Sequence, residues 1–276
     1  MDKEKLIKLA EDLHKSAFDA KSYYTIMMQY KKEGSKYKNE INISPAFYRV
    51  VYDALQKACF MEIAKSYDKR NDAVSVGLLL KYCRDNLDLF PEYRDIVTIK
   101  EDGREYSFQV PYQHHLKPME ECFFENEVKS QREILKIFHE SDFEKVPISV
   151  DLTFSEFLEL YQKRFCSLSK KQENIRVQRN KIYAHNDEKN ILAEEKVWDK
   201  NPITYPDIQE LIDFALDCTG LILESLTGKL SATSYRNIDD WEMTLQLVEL
   251  GLKYQDYEME QRHKQILKEM YADKKE

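Results

Sequence analysis

The sequence predicts a mainly α-helical protein: a bundle of long helices interrupted by one β-hairpin. Three observations carry this. Only 6 Gly and 7 Pro occur in 276 residues, so turn-forming material is scarce and the elements are long. Apolar residues recur at intervals of three and four through most of the chain, the spacing of a helix face. One stretch, 96–110, instead alternates every second residue, the spacing of a strand.

The first helix is predicted over Lys3–Glu33, ending before Gly34, with Leu6, Leu9, Leu13, Ala17, Ala20 and Tyr24 on its buried face. Residues 35–43 form a polar connector. Ser44-Pro45 places an N-cap and a first-turn proline at the next start. The helix that follows reaches about Lys69 and carries Phe47, Val51, Ala54, Ala58 and Met61 on one stripe, widened by Val50 and Leu55. It is expected to be the most buried helix. Residues 72–87 continue helical, with Leu78, Leu79, Tyr82 and Cys83 packing.

The segment IVTIKEDGREYSFQV turns about Asp102-Gly103. Asp-Gly favours the type I′ turn that suits a two-residue hairpin. That turn sets Glu101 opposite Arg104, Ile99 opposite Tyr106 and Val97 opposite Phe108, so ladder and apolar alternation agree in register. A lone hairpin is marginal, and this one is expected to dock on the helices. His114 and His115 lie near Glu120, Glu121, Cys122 and Glu125 without metal-ligand spacing, and are read as packing or solvated residues.

An amphipathic helix is predicted over 117–140. Thr153 to Glu156 fits a capping box. The helix it opens either runs through to His185 or breaks near Ser167, where Ser169 to Gln172 fits a second box. An acidic connector follows Asp187. Thr204 to Asp207 caps the next helix, with Pro206 in its first turn and Gly228 beyond its end. A last helix starts near Asn237, with Trp241, Leu245, Val248 and Leu252 on one stripe that fades into charge beyond Tyr254. Length alone suggests about two domains, but no shift of composition marks a boundary. The reading is a helical domain over 1–228 including the hairpin, and a C-terminal extension over 229–276 packed on it.

A net charge of −8 weighs against a surface that binds nucleic acid all over, and leaves room for one basic site. Five cysteines without paired spacing indicate neither a disulfide framework nor a zinc motif, and suit reduced, mostly buried thiols in the cytoplasm. The N-terminus MDKEKLIKLAEDL lacks the apolar core of a signal peptide. No run approaches a membrane span, so no membrane partner is expected.

One stretch concentrates the chemistry. Leu168, Gln172, Ile175, Arg179 and Ile182 share a helix face, which puts a guanidinium in an apolar stripe where it needs an anion. Arg179 and His185 alone are not specific, because Arg132 and His139 give a similar pair. Three features separate them. Asn180 follows Arg179 directly, and an amide can donate to a phosphate where Glu133 would repel it. Seven basic residues against the single acid Glu173 give Lys163–Lys181 a local charge of +6. His185 lies at a helix end, followed by Asn186-Asp187. The same residues also admit a structural reading: Arg179 paired with a carboxylate inside the bundle, His185 capping carbonyls, and the lysines on a solvated face.

RNKIYAHND, Arg179–Asp187, resembles the R-x4–6-H motif of the HEPN superfamily (higher eukaryotes and prokaryotes nucleotide-binding), with the polar residue expected after the arginine. ALQKACFMEIAKSYDKRNDAVSVGLLL, Ala54–Leu80, resembles the opening helices of its abortive-infection, AbiU-like branch, including a K-x-x-D turn at Lys65 and Asp68. The resemblance covers most of 1–228. It implies an up-and-down bundle that often dimerises with its motif helices facing. The hairpin and the long C-terminal helix depart from a minimal HEPN bundle. A tyrosine that some antitoxin-paired members carry two residues after the histidine is Asp187 here.

The resemblance implies a metal-independent endoribonuclease of a prokaryotic phage-defence or toxin system, with no cofactor. Its catalytic residues would be Arg179, Asn180 and His185. Lys170, Lys171, Arg176, Lys181 and Tyr183 would bind the substrate. Its partners would be RNA, a second copy of the chain, and an antitoxin or immunity protein. The alternative is a non-catalytic HEPN module that binds RNA or nucleotides or mediates protein contacts. A third reading is a helical protein without a polyanion site.

Overall fold

A computed structural model of the chain describes residues 1–70, 73–138, 143–184 and 197–272. The architecture is mainly helical. Two compact units are formed, one by Met1–Ala17 with Glu62–Ser231, the other by Phe18–Met61 with Ala232–Glu276.

The first unit takes the start of α1 (Lys3–Glu33), where Leu6, Ala10, Leu13 and Ala17 are buried as their spacing predicts. Its centre is α9 (Tyr205–Thr227), which buries Leu211, Ile212, Phe214, Ala215, Ile222 and Leu223 among others. Each large side chain of this kind contributes about 1.5–3 kcal/mol when fully buried. Thr204 and Asp207 form the predicted capping box. Gly228 ends α9 at φ 69°, a left-handed position that suits glycine. The predicted box of Thr153 with Glu156 opens α6 (Phe154–Ser167), whereas the one read at Ser169 to Gln172 does not form, the N-cap there being Leu168. α4 (Val76–Arg84) packs on α6 where Gly77 lacks a side chain; a Cβ there would stand 2.7 Å from Cζ of Phe165.

The hairpin forms as read. β1 (Asp95–Glu101) and β2 (Arg104–Val110) pair Val97 with Phe108, Ile99 with Tyr106 and Glu101 with Arg104. Asp102 and Gly103 both have positive φ, at 50° and 76°, as a type I′ turn requires. It does not dock, however. β1 is exposed along its whole length and β2 up to Val110. The apolar face packs across its own ladder, and that cross-strand contact is what the alternation encoded. A second ladder, β3 (Tyr112–His115) with β4 (Ser149–Leu152), was not predicted. Its strands are four residues each and 33 residues apart, too short for a period to register.

Three helix expectations need correction. α3 (Pro45–Ser66) is not the most buried helix: Phe47 and Val50 are exposed, and burial begins at Cys59. α9 takes that place, because both its faces meet neighbours while the stripe of α3 is covered only at its C-terminal end. The amphipathic helix predicted from 117 starts later, as α5 (Glu125–Phe138) after a 3-10 turn at Glu121–Phe123. The connector after Gly34 contains a single helical turn, α2 (Lys38–Ile41).

His114 packs, as read: Nε2 lies 2.7 Å from Oε2 of Glu120 and the ring meets Phe157 edge-on. The fully buried Glu120 also faces Nε of Arg164 at 2.8 Å. Burial pushes the Glu120 carboxyl up, but the His114 bond, the Lys117 N–H and the Arg164 charge outweigh it, and the net direction is down. Cys59, Cys83 and Cys218 are buried, and burial pushes the Cys59 and Cys83 thiols up to about 12.

The second unit contains the rest of α1, α2, most of α3 and α10 (Trp241–Ala272). Trp241 stacks on Tyr30 at 4.4 Å and its indole N–H donates to Gln29. Glu242 accepts from Lys36 at 2.7 Å and from the Tyr37 hydroxyl at 2.5 Å. Leu245 is buried, and Val248 and Leu252 are half-buried on the same stripe.

Candidate functional site

The helix opened by Thr153 breaks at Leu168, and α7 (Ser169–Gln178) restarts from there. The break is held by Gln172, whose side-chain amide donates to the carbonyl of Phe165 at 2.6 Å. Leu168, Gln172 and Ile175 are buried in sequence-predicted order. Two further buried amides grip the incoming chain: Asn174 donates to the carbonyl of Pro202 and Gln178 to that of Asn201, each at 2.6 Å. α8 (Val197–Lys200) immediately precedes them. Residues on both sides of 185–196 are thus fixed to α7.

At Arg179 the backbone changes from an α-helix to a π-helix, Arg179–Ala184. A π-turn widens the ring by one residue and redirects the side chains that follow; such segments occur often at functional sites. It starts at the first residue of the motif.

The anion that Arg179 meets is Asp68. Both terminal guanidinium nitrogens lie 3.2 Å from Oδ2 of Asp68, and Nε donates to Oδ1 of Asn180 at 2.9 Å. Asp68 also accepts from the backbone N–H of Arg70 at 3.0 Å and from its Nε at 3.1 Å. Burial pushes the Asp68 carboxyl up. The Arg70 N–H and the Arg179 bonds and charge outweigh that, and the net direction is down. The Arg179 side chain is 12% exposed and that of Arg70 68%. Nearby, Glu173 meets Nη2 of Arg176 at 2.5 Å and Nζ of Lys69 at 3.6 Å.

The structure brings together Arg179, Asn180 and Arg176 with Asp68, Lys69 and Arg70. Asn180, Lys170 and Lys181 are exposed. Lys171 is turned to Asp207, at 2.8 Å, and to Glu210. His185 lies outside the described residues, as do the side chain of Tyr183 and the competing His139. The +6 count overstates the free charge. Arg164, Lys171, Arg176 and Arg179 all face carboxylates, three of them on Glu120, Asp207 and Asp68 from distant parts of the chain. Sequence reading names Asp68 only as part of a turn and leaves Lys69 and Arg70 unassigned. The available signal was the run Asp68-Lys69-Arg70, one acid beside two bases.

A family model described as HEPN_AbiU2, AbiU2, matches residues 3–244. The chain belongs to this family. The match takes in residues 179–187 and the Asp68 turn, and it ends inside α10, at the fourth residue of that helix. No curated protein and no solved structure matches the chain. Among the described residues no helix is long and apolar enough to cross a membrane, and no group of His, Cys, Asp and Glu side chains is placed to hold a metal ion.

Proposed function

We propose that this AbiU2-family protein is a metal-independent RNA endonuclease of a prokaryotic phage-defence or toxin system, acting in the cytoplasm as a dimer. His185 takes the proton from a ribose 2′-hydroxyl as that oxygen attacks the adjacent phosphorus. The bond from phosphorus to the 5′-oxygen breaks, and a second histidine, from the other copy, protonates the leaving oxygen. An imidazole titrates near neutral pH and suits both tasks. Arg179 binds the scissile phosphate and the charge that develops on it, while Asn180, Lys170 and Lys181 position the backbone.

The observation that carries this reading is the clamp on Arg179. Asp68 and Asn180 hold the guanidinium at the start of the π-helix. These bonds use Nε and one hydrogen on each terminal nitrogen; a guanidinium has two more hydrogens. Arg70, held by the same carboxylate, adds a cation beside it. The decisive experiment is cleavage of single-stranded RNA by the purified protein with and without EDTA. His185→Ala abolishes cleavage and leaves RNA binding nearly intact.

One observation favours a second reading, a non-catalytic HEPN module that mediates protein contacts. Arg179, Arg176 and Lys171 already face carboxylates, which lowers their availability to a polyanion. On that reading RNA stays intact and Arg179→Ala changes its binding little.

A further inference from the structure

Beyond Leu252, α10 continues as an exposed helix that still carries apolar side chains. Met259, Ile266 and Met270 are 63%, 47% and 55% exposed. They are not scattered. Together with Val248 and Leu252 they extend the stripe that starts at Trp241. Val248, Met259 and Met270 stand 11 residues apart. Eleven residues are close to three turns, so the stripe stays on one side of a straight helix.

The stripe is also a palindrome. From Val248 the steps are 4 to Leu252, 3 to Gln255, 4 to Met259, then 4 to His263, 3 to Ile266 and 4 to Met270. Read backwards from Met270 the steps are the same. Two such helices laid antiparallel about Met259 bring Met259 against itself, Leu252 against Ile266 and Val248 against Met270. This is the self-complementarity a two-fold interface requires.

The charges agree with that arrangement. Lys253 pairs with Glu249 at 2.7 Å and Lys264 with Glu260 at 2.8 Å within the helix. Apart from these pairs, Asp256 and Glu258 precede Met259 and Arg262 and His263 follow it, with Lys268 and Glu269 further along. By helix geometry Glu258 and Arg262 lie on one flank of the stripe, and Asp256 and His263 on the other. A two-fold axis at Met259 therefore sets Asp256 beside His263 of the second copy, and Glu258 beside Arg262 of the second copy at an axial distance that its own Glu258 shares. In a parallel pair, acids would face acids and bases would face bases.

We propose that α10 is an interface for a second copy of this chain, through an antiparallel helix pair centred on Met259. This goes beyond the cleavage proposal and does not depend on it. The surface differs from the motif helix: it lies in the other unit, and its apolar centre falls past residue 244, where the family match ends.

Mass measurement by light scattering or sedimentation across a concentration series tests this. Met259→Asp and Ile266→Asp alter exposed side chains, so the fold, read by circular dichroism, is unchanged. Each substitution occurs twice in the pair, and each is expected to raise the dissociation constant by about tenfold or more. Together they halve the wild-type mass. A Met259→Cys chain, with the exposed Cys122 and Cys166 changed to Ser, cross-links to a dimer through a short thiol linker. Met243→Cys, on the opposite face of α10, does not. A wild type that is monomeric throughout, an assembly whose mass ignores the Asp substitutions, or cross-linking at 243 in place of 259 overturns the proposal. The first outcome leaves the stripe to a different partner, and the second leaves pairing to another surface such as the motif helix.

Discussion

Arg179 presents both terminal nitrogens to one oxygen of Asp68, at 3.2 Å each, across 111 residues of sequence. The pair links the turn after α3 to the first residue of the π-helix. It fixes the one cation in the apolar stripe of the motif helix, and the carboxylate is shared with Arg70.

Removing the carboxylate should therefore loosen the site. Asp68→Ala is expected to cost about 1–3 kcal/mol, since a nearly buried guanidinium loses its charged acceptor. Urea unfolding measures this. On the proposed mechanism cleavage falls further than RNA binding, because phosphate attraction survives while the positioning of Arg179 does not. An unchanged denaturation midpoint would show that the pair does not anchor the turn.

The same pair sets an acid dependence. The Asp68 carboxyl is held below its usual range, so its contribution to stability is complete above the ordinary aspartate pKa. It is lost as pH falls through the lower, folded value. Thermal melts between neutral pH and about pH 3 should show a fall in the wild type that is smaller in Asp68→Asn. Parallel curves for the two proteins would contradict the assignment.

Glu120 and Arg164 form a second pair, sealed from solvent. Glu120→Gln leaves the Arg164 charge buried beside a neutral amide. The expected loss is about 3–5 kcal/mol, read by chemical denaturation. Since the pair lies in the core of the unit, RNA binding per folded molecule should not change.

The hairpin should behave as a local unit. Its strands are exposed on both faces, so β1 and β2 amides are expected to exchange with solvent far faster than those of Leu211 to Ile222 in α9. Gly103→Val strains a position at φ 76° and should melt the ladder with little effect on the global transition. Slow exchange in β1 would indicate that something covers it.

Much of this molecule is legible in the sequence because its helices follow local rules. Thr153 and Thr204 mark two starts by capping boxes, Gly228 marks an end, and Asp102-Gly103 sets a register that holds at every pair. What fails is what depends on distant residues. Nothing near Phe47 tells that its stripe stays uncovered, and nothing near Val97 tells that the hairpin stands clear of the helices. The site divides in the same way. Arg179 and Asn180 stand out by their neighbours, and an arginine in an apolar stripe announces an anion, but the anion lies 111 residues away. The π-helix has no signature in RNKIYA, since a one-residue widening of the turn leaves composition and spacing unchanged.

The central claim is cleavage by His185 with Arg179 and without metal. Incubating a labelled single-stranded RNA with wild type, His185→Ala and Arg179→Ala in EDTA tests it in one gel. The account predicts products ending in 2′,3′-cyclic phosphate from the wild type. It predicts a loss of about 10²–10⁴ in rate or more for His185→Ala, the usual scale of a general acid–base group. It predicts both weaker binding and lost cleavage for Arg179→Ala. Intact RNA with the wild type, or His185→Ala cutting at the wild-type rate, would contradict it.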